Sequence, residues 1–213
     1  FKVKYLYSKE NDFDQKLNEF LQIRNTFDMD VEQSVIDIIN QIKTNGDRAL
    51  ITMINDFDKI ICSDFDNIKI ENNVLKKAYE DLPIDLKNAM KLASNRMKSC
   101  HEKQKLKGFD YDDELGVNLG LKYSPIKRVG FYTPGGKALY PSSVLMNVVP
   151  ALVAGVDERV LVSPINLEKS SEILLAAAYL AEVTEFYRMG GAQAIAALAP
   201  VSYTHLRAHE TCV

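Results

Sequence analysis

The feature that most constrains the fold of this chain is a pair of glycine-containing segments, each lying between a short apolar run and a helix-like pattern. Residues 129–136 read VGFYTPGG, and residues 188–199 read RMGGAQAIAALA. A strand that ends in a tight glycine turn and leads into a helix presents backbone N–H groups to a nucleotide or another anion in many α/β proteins. Two such corners about one βαβ unit apart therefore favour a binding crevice over a plain scaffold.

The spacing of apolar residues in the second half predicts alternating strands and helices. Strands are predicted at residues 128–133, 159–163 and 185–189, and helices at residues 141–155, 168–181 and 192–199. This alternation is typical of a parallel α/β sheet with right-handed crossovers. Residues 115–123 alternate like one arm of a β-hairpin, and the boundary between the two halves is predicted near residues 124–127.

The first half has the periodicity of helices. Helices are predicted at residues 13–21, 31–42, 47–57, 74–82 and 83–107, with a short strand at residues 68–70. Asn45-Gly46 is expected to end the second of these helices. Pro83 fits the first turn of the long helix, because its missing N–H is not needed there. The predicted fold class is therefore α/β, with a helical N-terminal region followed by an incomplete Rossmann-like parallel sheet that is flanked by helices.

Composition and charge argue against several classes of protein. The chain has 213 residues and a formal net charge of −3, with acidic residues interleaved among its lysines, which argues against an electrostatic nucleic-acid binder. No apolar run has the length of a membrane span, and the first residues lack a signal-peptide core. The cysteines Cys62, Cys100 and Cys212 are widely spaced and odd in number, which fits reduced thiols in a cytoplasmic protein.

Two side chains stand out as candidate ligand contacts. Tyr132 ends the first predicted strand of the parallel sheet, and Gln193 lies in the first turn of a helix that is otherwise small and apolar. Both positions are expected at the carboxyl ends of strands, where α/β sheets bind ligands. The alternatives stay open: Tyr132 could pack over a loop, and Gln193 could bond its own helix terminus. The dinucleotide fingerprint GxGxxG does not occur.

The remaining histidines and cysteines give weaker patterns. His205 and His209 are four residues apart and are followed by Cys212, a spacing that can place two imidazoles on one helical face as zinc sites require. The tail has no apolar helical stripe, and its order differs from HExxH, so we assign no metal site there. His101 is interpreted as a solvated residue of the long helix. Cys62 has neither a nearby histidine nor a CxxC partner, and the same holds for Cys100, which argues against nucleophiles.

Four blocks of this sequence resemble the histidinol dehydrogenase family. They are NGDRALITMINDFDK at residues 45–59, IKRVGFYTPGGKALYPSSVLMNVVPALVAGV at residues 126–156, RVLVSP at residues 159–164 and EFYRMGGAQAIAALA at residues 185–199. The YxPGG and GGAQAIAALA motifs are specific to that family rather than generic α/β turns. The resemblance covers residues 1–199.

The resemblance implies an activity and its cofactors. The family oxidises L-histidinol to L-histidine, the last step of histidine biosynthesis, in two NAD-dependent hydride transfers through an aldehyde held by the enzyme. Tyr132 and Gln193 match the family's NAD contacts. A zinc ion positions the substrate and a Glu-His pair provides acid/base chemistry. The family enzyme is a homodimer with two incomplete Rossmann-like domains and terminal arms.

The resemblance also suggests how the chain is divided. Residues 1–24 are interpreted as an N-terminal arm, residues 25–127 as the helical part of a first, incomplete α/β domain, and residues 128–199 as a truncated, Rossmann-like second domain. The tail at residues 200–213 resembles nothing in the family. We interpret it as foreign sequence, and we expect deletion of residues 201–213 to change neither stability nor ligand binding.

The family's zinc ligands and Glu-His pair have no counterpart in this sequence, so no catalytic or metal-binding residue is assigned. The chain alone is expected to be an inactive fragment of an NAD- and zinc-dependent enzyme. Three alternatives stay open at this point. They are a family relative that oxidises another small alcohol, a non-catalytic nucleotide-binding module, and a small zinc protein built on His205, His209 and Cys212.

Overall fold

The computed structural model of this chain describes residues 5–25, 29–135, 138–167, 171–199 and 210–212. The chain forms two compact units, residues 1–38 and residues 39–213. The first unit contains helix α1 (Phe13–Asn25) and the start of helix α2 (Met29–Met53). In α1 the side chains of Gln15 and Glu19 are hydrogen-bonded one turn apart. The proposed boundaries of the arm and the two domains stay a prediction.

The predicted break at Asn45-Gly46 is present, as a kink within helix α2. Gly46 adopts φ 55° and ψ −134°, which is not helical, and the chain resumes a helix on the other side of it. The glycine therefore marks a kink between two helical segments, because it adopts a positive φ that other residues rarely tolerate. A short π-helix (Ile54–Asp58) follows, and Lys59 ends it in the left-handed conformation with φ 57°.

The next elements follow the predicted order with shorter bounds. A 3₁₀ turn (Phe65–Asn67) precedes strand β1 (Lys69–Ile70), helix α3 (Asn72–Glu80) and helix α4 (Ile84–Glu102). Helix α4 begins one residue after the predicted start, because Pro83 has ψ 142° and is the N-cap rather than a residue of the first turn. The predicted hairpin arm is strand β3 (Asn118–Leu121), which pairs antiparallel with strand β2 (Phe109–Asp112). The sequence does not predict strand β2. Both faces of this hairpin are exposed, so β2 needs no alternation of apolar and polar residues that would indicate a strand.

The second half forms the predicted α/β alternation. Its elements are β4 (Arg128–Tyr132), α5 (Pro141–Ala154), β5 (Glu158–Ser163), α6 (Glu172–Leu180), β6 (Glu185–Arg188), α7 (Gly191–Leu198) and β7 (Glu210–Cys212). The sheet order is β1-β6-β5-β4-β7. Strands β4, β5, β6 and β7 run parallel, and β1 runs antiparallel to β6. The predicted α/β fold with a mostly parallel sheet is confirmed.

The two faces of the sheet are covered by different helices. Phe131, Leu161 and Phe186 are fully buried in the main core with side chains from α3, α5 and α6. Gly130 points to the opposite face, because successive residues of a strand alternate. A β-carbon at Gly130 would lie 2.9 Å from Leu198 Cδ2, so α7 packs directly on the backbone of β4. Glycine at this position permits the close helix–sheet contact.

A charged cluster joins the amino-terminal ends of three strands. Arg128 Nη1 and Nη2 donate to the two carboxylate oxygens of Glu185 at 2.8 and 3.2 Å, and Arg128 also pairs with Glu158. Tyr187 Oη donates to Glu185 at 2.8 Å. These groups lie at the end of the sheet opposite the predicted ligand edge, so they have a structural role.

In the described part of the chain, no helix combines the length and apolar character needed to cross a bilayer.

Candidate functional site

Tyr132 lies where the order of the sheet reverses. From β4 the chain moves outward through β5 and β6, and it returns to the other side of β4 at β7. Tyr132 is the last residue of β4, and its side chain is half-buried. Ligands of open α/β sheets bind outside the carboxyl ends of the strands at such a reversal. The sheet therefore places Tyr132 at the position where a ligand crevice is expected.

The turn after β4 folds over the carboxyl end of β5. The Thr133 N–H donates to the Val162 carbonyl at 3.1 Å, which extends the ladder between the two strands by one bond. Gly135 is buried, and a β-carbon there would lie 2.5 Å from Ser163 Oγ and 2.8 Å from Ile165 Cγ2. Only glycine fits this approach. Gly136, the second glycine of the predicted turn, lies outside the described residues.

Two buried hydroxyl groups lie at the same edge. The side chains of Thr133 and Ser163 are fully buried, and their hydroxyl oxygens have no hydrogen-bond partner within the described part of the chain. Buried polar groups are nearly always hydrogen-bonded, so an edge of this kind is completed by water or by a ligand. Hydroxyl, phenol and amide groups of this kind suit the ribose and amide groups of a dinucleotide. The residues at this edge therefore fit NAD chemically.

Gln193 is held by a residue from a distant part of the sequence. Gln193 is only 3% exposed. Its Nε2 donates to Asp58 Oδ2 at 3.2 Å, and the Gly190 N–H donates to Asp58 Oδ1 at 2.9 Å. Burial raises the pKa of the Asp58 carboxyl group, although the bonds from Gln193 and Gly190 act to lower it. The side chain of Asp58 thus anchors the start of α7 from outside the helix.

The two glycines before Gln193 serve different purposes. A β-carbon at Gly190 would lie 2.5 Å from Pro164 Cβ, so this residue permits the loops after β5 and β6 to meet. Gly191 adopts φ 66°, the left-handed conformation that glycine adopts readily. A β-carbon at Gly191 would also overlap Oε1 of Gln193. The Gly-Gly pair therefore fixes both the turn and the space available to the Gln193 carboxamide.

A cleft of about 430 Å³ opens beside Asp58 at the carboxyl end of the sheet; its lining includes Asp58, Lys59, Pro164, Asn166 and Arg188. Arg188 ends β6, and its Nη2 donates to the Asn67 carbonyl at 3.5 Å. The lining thus carries two cationic side chains and one carboxylate. Tyr132 and Gln193 do not line it.

Sequence reasoning did not identify Asp58, Thr133, Ser163 or Arg188 as residues of this edge. Asp58 lies within a block that resembles the family, but no local pattern indicates its partners. Those partners are 132 and 135 residues further along the chain. Tyr132 and Gln193 lie at the same edge of the sheet, and their assignment as NAD contacts stays a prediction.

The histidines and cysteines considered from the sequence have ordinary surroundings or lie outside the described residues. His101 is half-buried, and its Nδ1 lies 2.7 Å from Gln104 Oε1. Cys62 is buried, its Sγ donates to the Asp64 carbonyl at 2.9 Å, and burial raises the pKa of its thiol, which argues against a nucleophile. Cys100 is exposed. His205 and His209 lie outside the described residues, and the side chain of Cys212 is not described.

Within the described residues, no group of three or more His, Cys, Asp or Glu side chains is close enough to hold a metal ion. The described part of this chain therefore does not fit the zinc ion that the resemblance implies. We accordingly assign no residue of this chain a role in binding that ion.

Comparison with known proteins agrees with the resemblance. The histidinol dehydrogenase family model matches residues 22–205, which reaches past the GGAQAIAALA motif into the tail. The chain is 42% identical over 197 residues to the histidinol dehydrogenase of Nitrosospira multiformis, covering 92% of this chain and 45% of that protein. It is also 42% identical over 197 residues to the enzyme of Neisseria meningitidis serogroup A, again covering 92% of this chain and 46% of the relative.

Solved structures show the same relationship. The crystal structure of histidinol dehydrogenase from Elizabethkingia anophelis superposes with a TM-score of 0.72 at 28% sequence identity. The match covers 85% of this chain and 41% of that chain. This chain therefore spans less than half the length of the relatives that it matches.

Proposed function

We propose, from the fact that this chain belongs to the histidinol dehydrogenase family, that it is the amino-terminal part of an NAD- and zinc-dependent enzyme. The proposed reaction is the oxidation of L-histidinol to L-histidine through an aldehyde held by the enzyme. The observation that carries the proposal for this half is the strand-end edge at Tyr132 and Gln193, which lies where the sheet order reverses. The proposed role of this half is to bind NAD.

The residues of this edge would bind and orient the dinucleotide. Tyr132 offers an aromatic face and a phenol, and Gln193 offers a carboxamide that Asp58 holds in place. Bound NAD would accept the hydride that leaves the substrate carbon. The glycine turns bring backbone close to the ligand, and the buried Thr133 and Ser163 side chains fill the strand ends beneath it. The proposed role of these groups is to position the cofactor.

The remaining chemistry is proposed to come from the part of the relatives that has no counterpart in this chain. That part would supply the zinc ligands, the substrate contacts and the Glu-His pair. The 213-residue chain is therefore expected to bind NAD without oxidising L-histidinol, because the groups that would stabilise the transition state are missing.

A cytoplasmic homodimer is proposed for the intact protein. The hairpin β2–β3 supports a larger assembly, since Phe109 is 58% exposed and Leu115 is 89% exposed, and other apolar side chains of the hairpin are exposed with them. Contiguous exposed apolar surface of this kind marks a region that another part of the protein, or another subunit, covers.

A chimera tests the proposed function. Residues 1–199 would replace the matching part of the Nitrosospira multiformis enzyme, and L-histidinol-dependent reduction of NAD would be measured. We expect the chimera to be active and the Gln193→Ala chimera to show a raised KM for NAD. A folded chimera that binds L-histidinol but reduces no NAD would contradict the proposal. Calorimetric titration of the 213-residue chain with NAD, and with AMP for comparison, tests the binding role directly.

A further inference from the structure

The carboxylate of Asp58 decides which way the Gln193 carboxamide is turned. Both oxygens of Asp58 accept hydrogen bonds, one from the Gly190 N–H and one from Gln193 Nε2. A carboxylate can only accept, so the group of Gln193 that faces Asp58 has to be the NH₂. The nitrogen and oxygen of a free glutamine amide could exchange places, but this contact permits only one orientation.

That orientation places the carbonyl oxygen at the turn before α7. Oε1 of Gln193 lies so close to Gly191 that a β-carbon there would overlap it. Gly191 is itself exposed at the first position of α7. Among the described residues no side chain donates a hydrogen bond to Oε1. The oxygen is therefore an available acceptor at the edge where Tyr132 also lies.

We infer that Asp58 is a positioning residue for cofactor binding, which fixes Gln193 so that Oε1 accepts a hydrogen bond from a donor group of the dinucleotide. This inference rests on the proposed function of this edge. The donor is a ribose hydroxyl, the adenine amino group or the carboxamide NH₂ of the nicotinamide, because phosphate oxygens at neutral pH only accept. Asp58 acts through Gln193 and does not itself contact the ligand.

The substitution Asp58→Asn separates positioning from stability. The amide oxygen of the introduced asparagine can still accept from the Gly190 N–H, so the anchor at the start of α7 is kept. The amide NH₂ of the new side chain would face the NH₂ of Gln193, and the Gln193 amide has to turn over to present Oε1 instead. The acceptor is then withdrawn from the ligand edge while the helix start is preserved.

The matched control is Asp56→Asn. Asp56 lies in the same π-helix and is exposed. Its substitution removes the same charge but no contact to Gln193. Calorimetric titration of the full chain is expected to show about tenfold weaker NAD binding for Asp58→Asn, the size of one lost hydrogen bond, and less than about twofold change for Asp56→Asn. Equal affinities for the two variants would overturn the inference.

A double-mutant cycle tests whether Asp58 works through Gln193. In a Gln193→Ala background, Asp58→Asn is expected to have no further effect on NAD affinity. A full tenfold loss in that background would show an independent role for Asp58 and would overturn the inference. Titration with ADP-ribose locates the donor: a loss for both ligands assigns it to the ADP-ribose part, as a ribose hydroxyl or the adenine amino group, and a loss for NAD alone assigns it to the nicotinamide carboxamide.

NMR of the side-chain amide tests the contact without any ligand. In the unsubstituted chain, nuclear Overhauser effects are expected between the Gln193 NH₂ protons and the Asp58 β-protons, and Asp58→Asn should shift that NH₂ resonance while Asp56→Asn leaves it in place. An unshifted resonance would overturn the positioning role. Failure of the unsubstituted chain to bind NAD, with the NMR contact present, would instead contradict the proposed function alone.

Discussion

Arg128 and Glu185 are joined by two parallel hydrogen bonds of 2.8 and 3.2 Å across the amino-terminal ends of β4 and β6. The strands are not neighbours, since β5 lies between them, and Glu158 of β5 pairs with the same guanidinium. The side chain of Arg128 is 16% exposed and that of Glu185 is 24% exposed. One arginine therefore ties three strands together in a largely dehydrated setting.

Removing this guanidinium should destabilise the sheet. Arg128→Ala leaves two partly buried carboxylates without their common partner, and we expect the free energy of unfolding to fall by about 2–4 kcal/mol. Urea denaturation followed by circular dichroism measures the change. Lys127→Ala is the control, because the Lys127 side chain is 72% exposed and its ion pair with Glu158 should contribute little. Equal losses for the two variants would contradict the prediction.

The same cluster predicts a loss of stability in acid. Burial raises the pKa of Glu185, but the hydrogen bonds from Arg128 and Tyr187 outweigh it, and the pKa is lowered from its ordinary value of 4.5. A carboxyl group with a lowered pKa in the folded state stabilises that state above its unfolded pKa. Its contribution should be lost as the pH falls below 4.5 and through the folded pKa. Over this pH range the free energy of unfolding should fall less for Glu185→Gln than for the unsubstituted chain. The same pH dependence in both chains would contradict the prediction.

Asp58 should act in the opposite sense. Its pKa is raised from 3.8, chiefly by burial, so its contribution to stability is present below that pH and is lost as the pH rises through the folded pKa. Comparing Glu185→Gln with the unsubstituted chain isolates the contribution of Glu185 to stability, because Asp58 is present in both chains.

The contact between Gly130 and Leu198 predicts a compensating pair of substitutions. Gly130→Ala places a methyl group 2.9 Å from Leu198 Cδ2, and Leu198 is fully buried, so we expect a loss of about 1–3 kcal/mol from overpacking. Leu198→Ala alone should destabilise by leaving a cavity. The double variant should be more stable than the sum of the two losses predicts, as measured by chemical denaturation. Simple additivity would show that the two residues do not share this space.

Gly191 lies at the candidate site, and Gly116, which lies between β2 and β3, provides a matched control for it. Both have a positive φ, 66° and 80°, so alanine at either position should cost about 1–2 kcal/mol of backbone strain. A β-carbon at Gly116 meets nothing within 4 Å, whereas one at Gly191 overlaps the Gln193 carboxamide. Gly191→Ala should therefore weaken NAD binding in a calorimetric titration, and Gly116→Ala should leave it unchanged. Similar affinities for both variants would argue against a role of Gln193 in binding.

The sequence and the structure lead to opposite predictions for deletion of the tail. The interpretation of residues 200–213 as foreign sequence predicts that deleting residues 201–213 has no effect. Strand β7 (Glu210–Cys212), however, pairs with Val129, Gly130 and Phe131 of β4, and its loss would leave that edge unpaired. On this basis the deletion should lower the free energy of unfolding by about 1–3 kcal/mol, since a few backbone hydrogen bonds are lost. Thermal denaturation of the full and shortened chains decides between the two.

The local features of the fold were predictable from the sequence because short-range physics sets them. The strands β4, β5 and β6 and the helices α5 and α7 lie where apolar runs and glycine turns predicted them, within a few residues. Helix α4 begins one residue after the predicted proline. In contrast, strand β2 carries no buried face, so no apolar alternation indicated it.

The sequence by itself determined the parallel α/β class and the placement of Tyr132 and Gln193 at strand–helix corners, because apolar periods and glycine turns act over a few residues. Only the tertiary structure decided the sheet order, the antiparallel addition of β1 and the partner of Gln193. Asp58 reaches Gln193 across 135 residues, and Arg128 reaches Glu185 across 57. Contacts over such separations depend on the closure of long loops and on burial, which no local pattern of residues encodes.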